Sequence, residues 1–175
     1  MNQTEREPLQ TDRRLRAEFN LYYDLHAPPQ TPAPLLVALH GYGDNKGRMM
    51  RVAREVAPEG FAVASLQGPH QHIKDPREPG GPLRYGFGWL TNFKPEESVA
   101  LHHRALLDLV GALVEQQVAR RDAVFLLGFS QTCALNFRFA FTHAYALRGV
   151  VGVCGGLPGD WEESALYQRT RASVL

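Results

Sequence analysis

The sequence predicts an α/β protein with a mostly parallel sheet and helices on both of its faces. Two continuous apolar runs of strand length, LLVALHG at 35–41 and AVFLLGF at 123–129, are typical of parallel strands buried on both sides. Stretches with helically spaced apolar residues alternate with these runs along the chain. Such alternation is the pattern of a parallel sheet covered by its crossover helices, and it gives this fold class.

The individual elements follow in order. The loosely alternating residues 15–25 predict one or two edge strands, and the proline-rich stretch 27–34 predicts a turn. Pro95 opens the clearest helix, because Glu96 and Glu97 then lie in a first turn where the helix dipole favours negative charge. The other predicted elements are a helix over 47–57, a strand over 61–66, a long loop over 67–94, a helix over 131–143, a strand over 147–154, a short helix from Trp161 and the opening of a buried strand at 172–175.

Length and composition predict one domain and argue against two classes of partner. The 175 residues suit a single domain, which we place at 15–175 behind a flexible tail at 1–14. With 19 basic and 18 acidic residues, no strong field would draw the chain to nucleic acid. No apolar run approaches the ~20 residues of a membrane span, and the polar start differs from a secretion signal. We therefore expect a cytoplasmic protein, with Cys133 and Cys154 reduced and buried.

The sharpest chemical motif is GFSQT around Ser130. A serine between a buried strand and an apolar helix is the context of the G-x-S-x-G nucleophile elbow, a tight turn that projects the hydroxyl. The helix N-terminus behind it offers backbone N–H groups to a developing oxyanion. Thr132 stands where the motif has its second glycine, and its branched Cβ would crowd the approach of strand and helix. The alternative is an ordinary serine that caps the helix.

A second motif, HGYGDN at 40–45, directly follows the first buried strand. It resembles the oxyanion-hole loop of esterases, in which glycines let backbone N–H groups turn toward a substrate oxygen. We expect His40 to be a structural residue of this turn. The alternative, that His40 is a catalytic base, disagrees with the order in which such hydrolases carry their triad.

Together these segments resemble the carboxylesterase/phospholipase/thioesterase family of α/β-hydrolases. The resemblance rests on LLVALHGYGDN, YGFGWL, GFSQ and GGLPGDW, in matching order and separation, and it covers residue 35 to the C-terminus. It implies an α/β-hydrolase-type fold from which C-terminal strands and a helix are missing.

The resemblance also assigns site residues. It implies that Ser130 is the nucleophile and that the backbone N–H groups of Tyr42 and Gln131 form the oxyanion hole. It implies that Trp89 and Leu157 lie near the acyl pocket, although simple packing explains both residues equally well.

The remaining members of a catalytic triad are not found in the sequence. In this fold the acid and then the histidine follow the serine along the chain. The histidine that follows Ser130 is His143, which would lie about 20 Å away along the same helix. We therefore expect the natural chain to continue past Leu175, incomplete here at its C-terminus, and to supply both residues.

Asp160 is the aspartate that follows Ser130. We expect it to cap a helix that begins at Trp161, with Glu162 and Glu163 in the first turn. The alternative is that Asp160 is the catalytic acid.

Two further patterns point to other chemistry but fall short of it. The histidine pairs HQH at 70–72 and HH at 102–103 lack the further ligands of a zinc site, so we expect no metal. We expect the first pair to lie solvated in its loop. The glycines of 41–47 suggest a dinucleotide loop, but the spacing differs from G-x-G-x-x-G and the acidic residue of that fingerprint is absent.

The leading hypothesis is a serine hydrolase that cleaves carboxylic esters or thioesters through an acyl-enzyme on Ser130. The expected partner is therefore a small-molecule ester or thioester, and no cofactor is expected. The alternative is a non-catalytic protein of the same fold that binds an acyl or other apolar ligand. A homodimer through the open sheet edge is compatible with the sequence, which does not demand it.

Overall fold

The computed structural model describes residues 9–162 and 165–175. Residues 1–8 of the predicted tail lie outside the described residues. Residues 9–14 are exposed and form neither helix nor strand. The predicted edge-strand region begins its strand only at Tyr23.

The strands form one large sheet and one hairpin. The strands are β1 (Tyr23–His26), β2 (Ala33–Leu39), β3 (Ala62–Leu66), β4 (His70–Lys74), β5 (Arg84–Gly88), β6 (Ala119–Phe129), β7 (Gly149–Val153) and β8 (Ser173–Val174). The large sheet has the order β1-β3-β2-β6-β7-β8. Its strands are parallel except β1, which pairs antiparallel with β3. The predicted fold class is confirmed.

The central strands are buried on both faces, as their apolar sequences predict. Leu35, Val37 and Leu39 of β2 pack in the core cluster on one face of the sheet. Leu36 and Ala38 pack in the separate cluster on the other face. This alternation follows from the two-residue period of a strand, and it divides the core into two layers.

In the part of the chain that the structure describes, three helices cover the sheet, and each lies where the sequence predicts it. The helices are α1 (Lys46–Val56), α2 (Pro95–Glu115) and α3 (Gln131–Thr142). Met49 and Ala53 of α1 belong to the smaller cluster, whereas α2 and α3 contribute residues such as Leu106 and Leu135 to the larger one. Helices therefore cover both faces. Within residues 9–162 and 165–175, no helix is both long and apolar enough to cross a bilayer.

The prediction of an irregular loop over 67–94 is wrong. This segment contains the antiparallel hairpin of β4 and β5, in which His72 pairs with Gly86. The two histidines of β4 are only partly exposed rather than solvated. The His70 ring contacts the Ser98 hydroxyl at 3.3 Å, and the His72 ring stacks on Tyr42.

Predictions near the C-terminal end are corrected in three places. The helix expected from Trp161 is not formed by the described residues, where 159–162 are turns. Glu163, expected in its first turn, lies outside the described residues. The strand expected at 172–175 is present as β8, but it is exposed rather than buried. Cys133 is buried as expected, whereas Cys154 is exposed at the end of β7.

Buried histidines join α2 to α3. The His102 ring, fully buried, donates a hydrogen bond to the Asn136 Oδ1 atom over 3.2 Å. The neighbouring His103 ring packs edge-on against Phe139 and His143. Burial lowers the pKa of His102 to about 3 and that of His103 to about 4. Both rings are therefore neutral in the folded protein at neutral pH.

Acid should destabilise the protein through these two histidines. Their pKa values are lower in the folded than in the unfolded chain, so the unfolded chain binds more protons below about pH 6.5 and stability falls as the pH is lowered. From pH 7.5 to pH 5.0 we expect each histidine to lower the free energy of unfolding by about 2 kcal/mol. Urea unfolding at the two pH values measures the loss.

The variant His103→Phe removes one titrating group and keeps an aromatic ring in the cluster. We expect it to reduce the pH-dependent loss by about 2 kcal/mol. The control is Val52→Ala on the exposed side of α1, which removes no titrating group and should leave the loss unchanged. An undiminished loss in His103→Phe would contradict the assignment.

Candidate active site

Ser130 lies in a sharp turn between β6 and α3. Its backbone has φ 55° and ψ −112°, outside the extended conformation usual for a helix N-cap residue. Its side chain makes no capping hydrogen bond to the helix. The backbone N–H of Ser130 donates to the Val153 carbonyl at 2.8 Å, so β7 holds the turn. An ordinary helix-capping serine does not fit this geometry.

The turn requires a glycine before it. A Cβ atom on Gly128 would lie 2.9 Å from the Asn136 Nδ2 atom and 2.9 Å from the Thr132 carbonyl oxygen. This close approach lets α3 begin directly against the end of β6. It accounts for the first glycine of the motif.

Thr132 fits where crowding was expected. Its side chain is completely buried, and its hydroxyl accepts a hydrogen bond from the Phe129 N–H at 2.9 Å. The same hydroxyl donates to the Leu39 carbonyl at 2.8 Å. The branched side chain is therefore bonded to both strands that carry the site, rather than forcing them apart from the helix.

The loop after β2 packs directly against the Ser130 turn. Leu39 pairs with Gly128, so β2 and β6 end at the same edge of the sheet. A Cβ atom on Gly41 would lie 3.1 Å from the Ser130 Cβ and 3.1 Å from the Phe129 carbonyl oxygen. The two sequence motifs, which are separated by about ninety residues along the chain, therefore meet in space.

The β4–β5 hairpin supports this loop from outside. The Gly43 N–H donates to the Phe87 carbonyl at 2.8 Å, and the Phe87 N–H donates to the Asp44 carbonyl at 3.1 Å. The Lys74 ammonium group donates to the Gly43 carbonyl at 2.9 Å. The exposed Tyr42 ring stacks on His72, with 4.4 Å between ring centroids. The hairpin thus holds the backbone directly after Tyr42 as well as the Tyr42 ring.

His40 is a structural residue of the loop in this arrangement. Its Nδ1 atom donates to the Gly41 carbonyl at 2.8 Å. Its Nε2 atom accepts from the Gly68 N–H and the Gln67 side-chain amide, each at 2.9 Å. Burial lowers the pKa of His40. With both ring nitrogens engaged, neither is available to accept a proton from Ser130.

Gln131 and Trp89 are joined to each other. The Gln131 Oε1 atom accepts a hydrogen bond from the Trp89 backbone N–H at 2.8 Å. The Trp89 ring is completely buried and packs edge-on against His102. Trp89 therefore holds the loop before α2 against the start of α3. Leu157, in the loop after β7, is about half exposed (49%), and its contact with substrate stays a prediction.

Asp160 does not cap a helix among the described residues. Its Oδ1 atom accepts hydrogen bonds from the Tyr167 hydroxyl, at 2.7 Å, and from the Arg138 guanidinium. The bond from Tyr167, and after it the bond from Arg138, hold the pKa of Asp160 below its ordinary value. The carboxylate thus joins α3 to the chain after β7. His143 follows the last residue of α3, at the far end of that helix from Ser130.

The described residues do not assemble a metal centre. Among residues 9–162 and 165–175, no group of three or more His, Cys, Asp and Glu side chains is arranged to hold a metal ion. His70 and His72 contact Ser98 and Tyr42, and His102 and His103 belong to the α2–α3 core.

Comparison with known proteins identifies the family. The model of the phospholipase/carboxylesterase family matches residues 22–169, a stretch that includes both motifs. The chain belongs to the phospholipase/carboxylesterase family.

Individual relatives agree with this membership. NocK of Nocardia uniformis subsp. tsuyamanensis, a protein named as an esterase, is 31% identical over 148 residues, which are 78% of this chain. The match spans 38% of the length of NocK. The phospholipase/carboxylesterase of Dyadobacter fermentans DSM 18053 has a TM-score of 0.63 at 19% identity, over 91% of this chain and 72% of its own. The Bacillus cereus carboxylesterase has a TM-score of 0.58 at 19% identity, and the match covers 79% of this chain and 61% of the carboxylesterase. These two structures share the α/β-hydrolase fold with this family member.

Sequence reasoning missed the supports of the site. The alternation in HQHIK and RYGFG, with glycines and prolines between, is a hairpin pattern that could have revealed the strands carrying His72 and Lys74. The side-chain bond of Gln131 to Trp89 and the bond of the Thr132 hydroxyl to Leu39 had no local sequence signal, because their partners lie far along the chain.

The close approach at Gly128 is testable. In Gly128→Ala the added methyl group meets a backbone oxygen at 2.9 Å, and we expect a loss of about 1–3 kcal/mol in the free energy of unfolding. The matched control is Gly111→Ala in α2, where nothing lies within 4 Å of the new Cβ. That variant should gain about 0.5–1 kcal/mol, because alanine favours a helix interior. Urea unfolding measures both; equal effects would contradict the packing at the turn.

Proposed function

We propose that the protein is a serine hydrolase that cleaves carboxylic esters or thioesters through an acyl-enzyme on Ser130. The observation that carries this proposal is the Ser130 turn. A positive φ in a non-glycine residue between a strand and a helix, with its hydroxyl free of capping, is the conformation that a nucleophile elbow requires.

The surroundings of Ser130 support oxyanion stabilisation. In the proposal, the backbone N–H groups of Tyr42 and Gln131 bind the oxygen of the tetrahedral intermediate. Gln131 is the first residue of α3, where unpaired N–H groups and the helix dipole favour negative charge. Gly41 brings the Tyr42 backbone close to Ser130. Donors fixed in advance in this way stabilise charge that develops during the reaction.

The proposed reaction has two steps. The Ser130 Oγ atom attacks the carbonyl carbon while its proton passes to a general base, and the C–O or C–S bond then breaks as the leaving group takes the proton. Water next attacks the acyl group on Ser130, which releases the carboxylic acid and restores the hydroxyl. The proposal assigns the base to no described residue, because the nitrogens of His40 are engaged and His143 lies about 20 Å along the helix.

The substrate in this proposal is a small-molecule ester or thioester. Membership of the phospholipase/carboxylesterase family supports this class. Trp89 and Leu157 are proposed to flank the acyl group: Leu157 by its exposed side chain, and Trp89 through the loop that it anchors on Gln131.

The test compares the intact natural protein with its Ser130→Ala variant on p-nitrophenyl butyrate. We expect release of p-nitrophenol and, in intact-protein mass spectra, an increase by one butyryl group. Both should be lost in Ser130→Ala, because the nucleophilic oxygen is removed. The control is Ser173→Ala on exposed β8, which should keep both signals.

Each alternative outcome is informative. Turnover that survives in Ser130→Ala would refute the proposed nucleophile. Saturable binding of the ester by the folded protein, without adduct or turnover, would instead favour a non-catalytic protein that binds an acyl or apolar ligand.

A further inference from the structure

The Thr132 hydroxyl lies between two strand ends. It accepts a hydrogen bond from the Phe129 N–H and donates one to the Leu39 carbonyl. Leu39 is the last residue of β2, and Phe129 is the last residue of β6. The loop that carries Tyr42 begins after Leu39, and Ser130 directly follows Phe129. One buried hydroxyl therefore connects the origins of both halves of the candidate site.

This bridge distinguishes the chain from the elbow motif itself. The G-x-S-x-G pattern has glycine at this position, and glycine has no side chain with which to bond either strand. Here the Thr132 hydroxyl bonds the backbone of both Leu39 and Phe129, so it links the end of β2 to the end of β6 beside the Leu39–Gly128 pair. A residue without the hydroxyl would lack this link.

We propose that Thr132 is a positioning residue that sets the location of the Tyr42 N–H relative to Ser130. The inference rests on the proposed acyl transfer at Ser130. It adds that Thr132 is one of the residues that determine the rate of this acyl transfer. Thr132 acts through Leu39 and Phe129 and does not touch substrate. Oxyanion stabilisation is sensitive to small displacements of the donor, so loss of the bridge should lower kcat.

Two substitutions separate the hydroxyl from the volume of the side chain. Thr132→Val keeps the branched shape and removes the hydroxyl, whereas Thr132→Ser keeps the hydroxyl. For hydrolysis of p-nitrophenyl butyrate we expect Thr132→Val to lower kcat at least about tenfold with KM nearly unchanged. We expect Thr132→Ser to retain kcat to within about threefold.

A core variant controls for general destabilisation. Val110→Ala in α2 removes buried methyl groups beside Leu126 and Leu147, outside the two strand ends that Thr132 bridges. We expect this variant to lower the unfolding midpoint while leaving kcat within about twofold. Both variants are assayed at the same number of degrees below their own thermal unfolding midpoints. If Thr132→Val and Val110→Ala then lower kcat by the same factor, Thr132 contributes packing alone and the inference is overturned.

A second measurement does not depend on turnover. Amide hydrogen exchange in the folded protein reports whether the segments 40–44 and 129–132 stay anchored. In Thr132→Val we expect exchange in both segments to accelerate at least about tenfold relative to the rest of the sheet. Thr132→Ser should match the unmodified protein, and Val110→Ala should show no selective change in these segments.

The outcomes distinguish this inference from the proposed function. If turnover survives in Ser130→Ala, the proposed nucleophile fails, and with it the catalytic role of Thr132. The exchange data then still decide whether the bridge anchors both loops. Unchanged exchange in Thr132→Val would refute the bridge whatever the activity.

Discussion

The in-register parallel pairing of β2 with β6 is the constraint on which the candidate site depends. Because Leu39 lies opposite Gly128, the two strands end at the same level, and the segments that follow them leave the sheet side by side. The pairing is held by residues whose side chains are fully buried, such as Val37 and Leu126. A shift of one residue would turn these apolar side chains to the opposite layer. The burial that stabilises the core therefore also brings the glycine loop to the serine.

Polar groups at this edge are satisfied by side chains rather than by further strand pairing. A parallel ladder that stops inside a protein leaves backbone N–H and carbonyl groups that are costly to bury unbonded. Here His40 bonds the backbone of Gly41 and Gly68, Gln131 bonds that of Trp89, and Thr132 bonds that of Leu39. Each bond also fixes a loop that borders Ser130. The same contacts therefore satisfy the backbone hydrogen-bonding groups and organise the candidate site.

The sequence predicted the frame of this arrangement better than its supports. Apolar runs revealed β2, β3, β6 and β7, because central parallel strands are apolar on both faces, and the glycine and serine motifs could be placed at their ends. The β4–β5 hairpin was missed because its mixed sequence, HQHIK, resembles a polar loop. Thr132 was expected to crowd the turn, since a local argument sees its Cβ but not the Leu39 carbonyl that its hydroxyl reaches across the sheet. Contacts made between distant segments were beyond such reasoning.

The conformation of Ser130 explains why so many contacts converge on one turn. A non-glycine residue at φ 55° costs on the order of 1–3 kcal/mol and persists only where its surroundings impose it. Its N–H is bonded to Val153 and its carbonyl accepts from the Cys133 N–H at 3.1 Å, so the backbone is held on both sides of the strained residue. Its hydroxyl is left out of this network, although the adjacent helix terminus offers N–H groups that a capping serine would bond. The backbone conformation of Ser130 costs free energy, and its hydroxyl makes no capping bond that would offset this cost. The arrangement is accounted for if the hydroxyl and the helix N–H groups are kept for a substrate.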